Sequence, residues 1–204
     1  MDEREQMENE IKGVWFKNHI ATITEHEGIT ILDWGELGTS YYSVRYIFAS
    51  NKLYISGDIG EAIFDLTWQA TPQSFNDMNL GYLIGKLSCC SRRRWDFSER
   101  KAIRELKEWY AEAVYDCHDD DKKEILEGYQ VIKRLIYGCI DVKDFEMELF
   151  NYYQNNSFDY LDSEDFSMFS DFGKQLSNVF FAYLLGIKLA NKQNNHLIGN
   201  KGGI

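Results

Sequence analysis

Tyr41-Tyr42-Ser43-Val44-Arg45-Tyr46-Ile47-Phe48-Ala49, Ser50-Asn51-Lys52, Leu53-Tyr54-Ile55-Ser56, Gly57-Asp58-Ile59-Gly60-Glu61 and Ala62-Ile63-Phe64-Asp65-Leu66-Thr67-Trp68 form one continuous stretch, and it decides the fold. Three runs rich in β-branched and aromatic residues alternate with residues that turn a chain. Asn51-Lys52 predicts a tight hairpin, because asparagine tolerates positive φ. Gly57 to Gly60 predicts a second turn.

The same pattern extends upstream. Ile20 to Thr24 and Ile29 to Trp34 read as strands, bounded by Glu27-Gly28 and by Gly35 to Gly38. Short strands joined by short turns give an antiparallel β-meander of about four or five strands. Downstream, Pro72, the only proline, marks a switch to helices. Ser74 and Asp77 are candidate caps for a helix carrying Met78, Leu83, Ile84 and Leu87. Asp96 with Glu99 reads as a capping box before Ile103, Leu106, Tyr110, Ala113 and Val114. Further helices are expected from near Asp121 and from Asp141. Leu176, Val179, Phe180, Tyr183, Leu184 and Ile187 form the clearest apolar stripe.

Strands followed by helices predict an α+β fold, with the meander packed against about five helices. One domain of 204 residues is expected: a polar arm at 1–13, a sheet at 14–71, a helical part at 72–190 and a frayed tail at 191–204. With 44% hydrophobic residues the chain can bury a core. No apolar run reaches the length of a membrane span, and Met1-Asp2-Glu3-Arg4-Glu5 lacks the apolar core of a signal peptide. A cytoplasmic location is therefore expected.

The chain has 33 acidic and 22 basic residues, a net charge of -11. That balance argues against general DNA binding, where phosphate neutralisation supplies the affinity. It favours a basic partner, or solubility alone. Cys89, Cys90, Cys117 and Cys139 have neither zinc-site nor disulfide-framework spacing. The four histidines are too scattered to suggest a site, although an approach of His19 and His26 across the first hairpin would make a metal site conceivable. Neither a metal nor a cofactor is expected.

No complete catalytic signature is present. The Gly57–Glu61 turn lacks the lysine of a P-loop and the spacing of a dinucleotide fingerprint. Asp58 and Glu61 remain candidates for acid-base work, being carboxylates at a turn on a sheet. Arg92-Arg93-Arg94 is the one concentrated positive site. Its guanidinium groups suit phosphate or carboxylate, whether on a partner or on the protein's own surplus acids. Arg45 lies among Tyr41, Tyr42 and Tyr46, where stacking is expected. Phe158 to Phe172 mixes aromatics with Asp159, Asp162, Glu164 and Asp165. It reads either as a mimic of nucleic-acid charge and stacking, or as a connector whose aromatics join the core.

The runs Tyr46-Ile47-Phe48, Leu53 to Phe64 and Trp68-Gln69-Ala70-Thr71-Pro72, with Leu80-Gly81-Tyr82, Lys86-Leu87-Ser88 and Phe181-Ala182-Tyr183-Leu184-Leu185-Gly186, carry a resemblance. They resemble a family of small acidic proteins found on prophages and conjugative elements of Gram-positive bacteria. The resemblance spans most of residues 41–187. It implies a setting in which such proteins inhibit host defence, including Cas9-type effectors (anti-CRISPR activity), and it carries no catalytic motif over. The expected function is inhibition of a defence nuclease inside the bacterial host cell. An acidic surface would compete for the groove that holds nucleic acid, and the partner would be the basic effector or its guide RNA complex. Arg92, Arg93 and Arg94 would then contact guide phosphates or an acidic patch. The alternative is a small metal-independent ribonuclease that truncates guide RNA, with Asp58 and Glu61 as acid and base.

Overall fold

The computed structural model describes residues 3–118, 121–155 and 163–199. In chain order the elements are α1 (Glu3–Glu10), a π turn (Ile11–Trp15), β1 (Ile20–His26), β2 (Ile29–Gly35), β3 (Val44–Ala49), β4 (Lys52–Gly57) and β5 (Ala62–Asp65). A 3₁₀ turn (Pro72–Phe75), α2 (Leu80–Gly85), β6 (Leu87–Cys90) and β7 (Trp95–Phe97) follow. The chain continues with α3 (Glu99–Asp116), α4 (Lys122–Gly138), α5 (Val142–Asn155), α6 (Ser163–Phe169), β8 (Lys174–Leu176) and α7 (Asn178–Gly199). The protein is α+β, and it divides into two compact units: Met1–Arg93 with Ser177–Ile204, and Arg94–Leu176. No helix among the described residues is long and apolar enough to cross a membrane.

The first unit is a six-stranded antiparallel meander in the order β1 to β6. The sequence predicts four or five strands. The strand it misses is β6, at Leu87–Cys90, where it reads the end of a helix. This short segment lacks alternation and becomes a strand by pairing with β5, Ile63 opposite Cys89. Alternation along β3 is strict: Val44, Tyr46 and Phe48 are buried, while Arg45 is exposed. Leu32, Leu53, Ile55 and Phe64 extend the buried face onto neighbouring strands. α7 covers that face with Phe180, Tyr183, Leu184 and Ile187. Gly186 permits the close approach, since a Cβ there would lie 2.2 Å from the Tyr46 hydroxyl.

Local signals explain the ends. The β1–β2 turn is Glu27-Gly28, with φ of 28° and 85°, values that match a two-residue primed turn. In the β3–β4 hairpin the loop residues are Ser50 and Asn51, and Ser50 takes the positive φ of 53°. The helix after Pro72 is capped by Asn79, which accepts from the Tyr82 amide at 2.7 Å, and not by Ser74 or Asp77. α7 continues past Ala190 to Gly199, into the region where the sequence predicts a tail. Asn191 is the reason: it is buried and donates to the Pro72 carbonyl and to Asn76 Oδ1, both at 2.7 Å.

The second unit packs α3, α4, α5 and α6 around Leu106, Ile132, Ile136, Phe145, Leu149, Phe166 and Phe169. A two-stranded ribbon, β7 with β8, joins them. Asp96 lies in that ribbon opposite Gln175, so the cap of α3 falls to Ser98, which accepts from the Lys101 amide. Asp141 begins α5 as the sequence predicts, accepting from the amides of Lys143 and Asp144.

Candidate functional site

The structure brings three of the candidate residues to one corner of the β unit. Gly57 has φ 146°, and a Cβ there would fall 2.2 Å from the Ser43 carbonyl oxygen. Only glycine lets the chain turn this close to its neighbour. The turn places Asp58 where its Oδ2 accepts from the Tyr42 amide at 2.8 Å, and its own amide donates to Ser43 O at 3.0 Å. Tyr42, at φ 54°, is held further by its ring, which stacks on Trp15 at 5.1 Å. The Asp58 carboxylate therefore braces a left-handed residue.

Arg92 closes the same corner. Its guanidinium donates to the Asp58 carbonyl at 3.2 Å, and its side chain lies against Gly60, where a Cβ would sit 2.6 Å from Arg92 Cγ. Glu61 is fixed by its backbone: its amide donates to Ser91 Oγ at 2.8 Å and its carbonyl accepts from the Ser91 amide. Tyr183 supports the turn from below, its buried hydroxyl 3.5 Å from the Ile59 carbonyl. Burial pushes the Tyr183 phenol upward, and the Arg92 charge partly offsets this. Asp58 and Arg92 thus meet at the Asp58 carbonyl, Glu61 adjoins them through its backbone, and each of these hydrogen bonds engages a backbone group.

The remaining cations of the sequence reading fall elsewhere. Arg93 ends the first unit and Arg94 begins the second, and all three arginines are exposed. The Arg94 guanidinium lies 5.2 Å from the Trp95 ring centre, a cation–π contact. Arg45 makes a two-point pair with Asp33 across β2 and β3, at 2.6 and 3.1 Å, in place of the predicted stacking on tyrosines. Sequence adjacency suggested tyrosine neighbours, but strand alternation sends Arg45 to the face opposite Tyr46.

In the helical unit, Glu164 and Asp165 occupy the first turn of α6, while Asp159 and Asp162 lie outside the described residues. The described aromatics of this segment, Phe166, Phe169 and Phe172, are core, while Phe158 and Tyr160 lie outside the described residues. Phe166 and Phe169 are buried, and Phe169 meets Trp109 edge-on at 4.9 Å. Stacking against nucleic acid is therefore not available to Phe166, Phe169 and Phe172. The carboxylates, by contrast, dominate this unit: residues 94–176 contain 20 acidic and 11 basic side chains, a net of -9 out of the whole chain's -11.

Two side chains that the sequence reading passed over stand on that acidic unit. Met147 and Phe150 of α5 are 59% and 62% exposed, on the side of the helix away from the buried Phe145 and Leu149. Glu148, also exposed, lies between them in sequence. Ile140, 87% exposed, precedes the helix. Their signal in the sequence is apolar residues lying off the i, i+4 stripe of Phe145 and Leu149. A groove of about 590 Å³ along α3 carries Arg100, Arg104 and Lys107, but Glu99 and Glu108 share its walls and offset them. Among the described residues no group of three or more histidine, cysteine or carboxylate side chains could hold a metal. His19 and His26 stand at opposite ends of β1.

Fold and site together define an α+β protein with a tightly braced β corner and a strongly acidic helical unit. No protein family, no curated protein and no solved structure matches the chain.

Proposed function

We propose that the protein inhibits a nucleic-acid-handling nuclease of host defence by presenting its acidic helical unit to the enzyme's basic groove. The observation that carries this is charge segregation: a net of -9 on residues 94–176 against -2 on the remainder. A net excess of nine negative charges within one unit is self-repelling. A groove built to hold phosphates supplies the missing cations, and association through such charges is fast and salt-sensitive. Met147 and Phe150 support the reading, since exposed apolar side chains within a charged field are the anchors of an interface. The resemblance to proteins of prophages and conjugative elements supplies the setting, and a Cas9-type effector with its guide RNA is the partner that fits it. Arg92, Arg93 and Arg94 would meet guide phosphates or an acidic patch beside the groove.

The test is target cleavage by a guide-loaded Cas9-type nuclease in the presence of the protein, with the guide RNA then run on a denaturing gel. The expected result is lost cleavage with an intact guide. A shortened guide would instead make the protein a ribonuclease, and Asp58 and Glu61 the first residues to replace. Unaffected cleavage would overturn the choice of effector.

A further inference from the structure

We propose that the protein self-associates through β1, two copies pairing antiparallel about a two-fold axis at Thr24 to form one continuous sheet. The argument begins with which backbone groups of β1 are already used. His26 and Ile29 flank the two-residue turn Glu27-Gly28, so they form a hydrogen-bonded pair with β2. Pairing alternates along an antiparallel ladder. Thr22 and Thr24 therefore also bond to β2, and Ala21, Ile23 and Glu25 turn their amides and carbonyls away from it. Ala21 bears this out, its amide donating to Gln193 Oε1 at 2.7 Å.

Gln193 does more than take one amide. Its Nε2 donates to the His19 carbonyl at 3.3 Å, so the side-chain amide of an α7 residue imitates one residue of a neighbouring strand. That closes the edge at His19 and Ala21. Among the described residues no side chain covers Ile23 or Glu25 in this way, and both are exposed.

The two edges of the sheet differ in their protection. β6 is four residues long, and its pairing with β5 carries an irregularity at Ile63/Phe64. Shortness and bulges are the usual guards against edge pairing. β1 is seven residues long, Ile-Ala-Thr-Ile-Thr-Glu-His, in unbroken register with β2, and holds neither proline nor lysine. Its unprotected part is a template for another strand.

A second copy of β1 fits this edge, and its register follows from the groups left open. A two-fold pairing that uses Ile23 and Glu25 and leaves the Gln193 clamp in place sets Thr24 against Thr24 of the second copy. Ile23 then faces Glu25 of the copy, and Thr22 faces its His26, so no like charges oppose one another. Thr24 also begins a row across the outer sheet face: Thr24, Ile31, Ile47, Tyr54 and Ile63 are register neighbours strand by strand. Pairing at Thr24 joins two such rows. A register centred on Ile23 would require Ala21 to release Gln193.

The test uses cysteine variants in a Cys89→Ser background, which removes the exposed native thiol. Facing residues of a non-hydrogen-bonded pair have Cα atoms about 4.5 Å apart, within disulfide range. Thr24→Cys should therefore cross-link to its copy under mild oxidation. Thr22→Cys, equally exposed but about 13 Å from its own copy in this register, should cross-link about tenfold less. The uncross-linked protein should shift from monomer to dimer mass as its concentration rises. Ile23→Pro, which removes an outward amide that β2 does not use, should hold it at monomer mass. Equal cross-linking of the two variants, stronger cross-linking at Thr22, or monomer mass at every concentration would overturn the proposal.

Discussion

The β unit and the helical unit hold equal numbers of cations, 11 each, but 13 and 20 carboxylates respectively. In the β unit charges are set opposite one another by strand register. Asp33 pairs with Arg45, and Lys52 pairs with Asp65, which also accepts from Ser88. In the helical unit local pairs exist, such as Lys174 with Glu146 and Asp171, but acids outnumber bases by nine. Both units nevertheless bury a full aromatic and aliphatic core. Stability in each comes from packing, while the acidic excess of the helical unit adds self-repulsion. This contrast is what places our functional proposal on residues 94–176 and gives the β corner a structural role.

The comparison breaks first at the cores. Phe145 is fully buried in the helical unit, and Phe145→Ala should cost about 4 kcal/mol in chemical denaturation. A cost below about 1 kcal/mol would mean that this unit is held by something other than its core. In the β unit Gly57→Ala should cost about 3 kcal/mol, from the strained φ and from the collision with Ser43 O. Asp58→Ala should cost about 1 kcal/mol, the worth of one hydrogen bond to a charged acceptor at an exposed turn. If the corner were catalytic and not a brace, Asp58→Ala would leave stability unchanged and abolish an activity.

These positions also show what can be read from sequence. Alternation in Val44-Arg45-Tyr46-Ile47-Phe48 and turn chemistry at Glu27-Gly28 and Gly57 gave the meander, because those signals are local. β6 was not legible, since Leu87-Ser88-Cys89-Cys90 becomes a strand only through its partner β5. The length of α7 was hidden for a similar reason. Asn191 and Gln193 look like tail residues, yet their amides bind Pro72 and Asn76, and Ala21 and His19, far away in the chain. For the site, the arginine run and the turn carboxylates were visible, but their contacts were not. Met147 and Phe150 become candidates only once the buried face of α5 is known.

A smaller effect separates the units by pH. His19 is buried beside Phe16 and Trp34, and burial holds its imidazole below the ordinary value of 6.5. The unfolded chain therefore binds this proton more readily than the folded one. The β unit should be unaffected by His19 above about pH 6.5 and should lose stability as pH falls below that value. His19→Gln should flatten that part of a stability–pH profile. An unchanged slope would assign it to other groups. The smallest expected effect on stability is that of neutralising two exposed acids and one half-buried acid of the helical unit: Glu148→Gln, Glu164→Gln and Asp165→Asn together should cost no more than about 1 kcal/mol, mostly at the start of α6.

The same triple variant gives the most direct test of the central claim. Binding of the wild type and of the triple variant to a guide-loaded Cas9-type nuclease would be measured across a salt series. Our account predicts that wild-type affinity falls steeply with salt, and that the variant binds more weakly at low salt with a shallower dependence. Equal, salt-independent binding by the two proteins would contradict it.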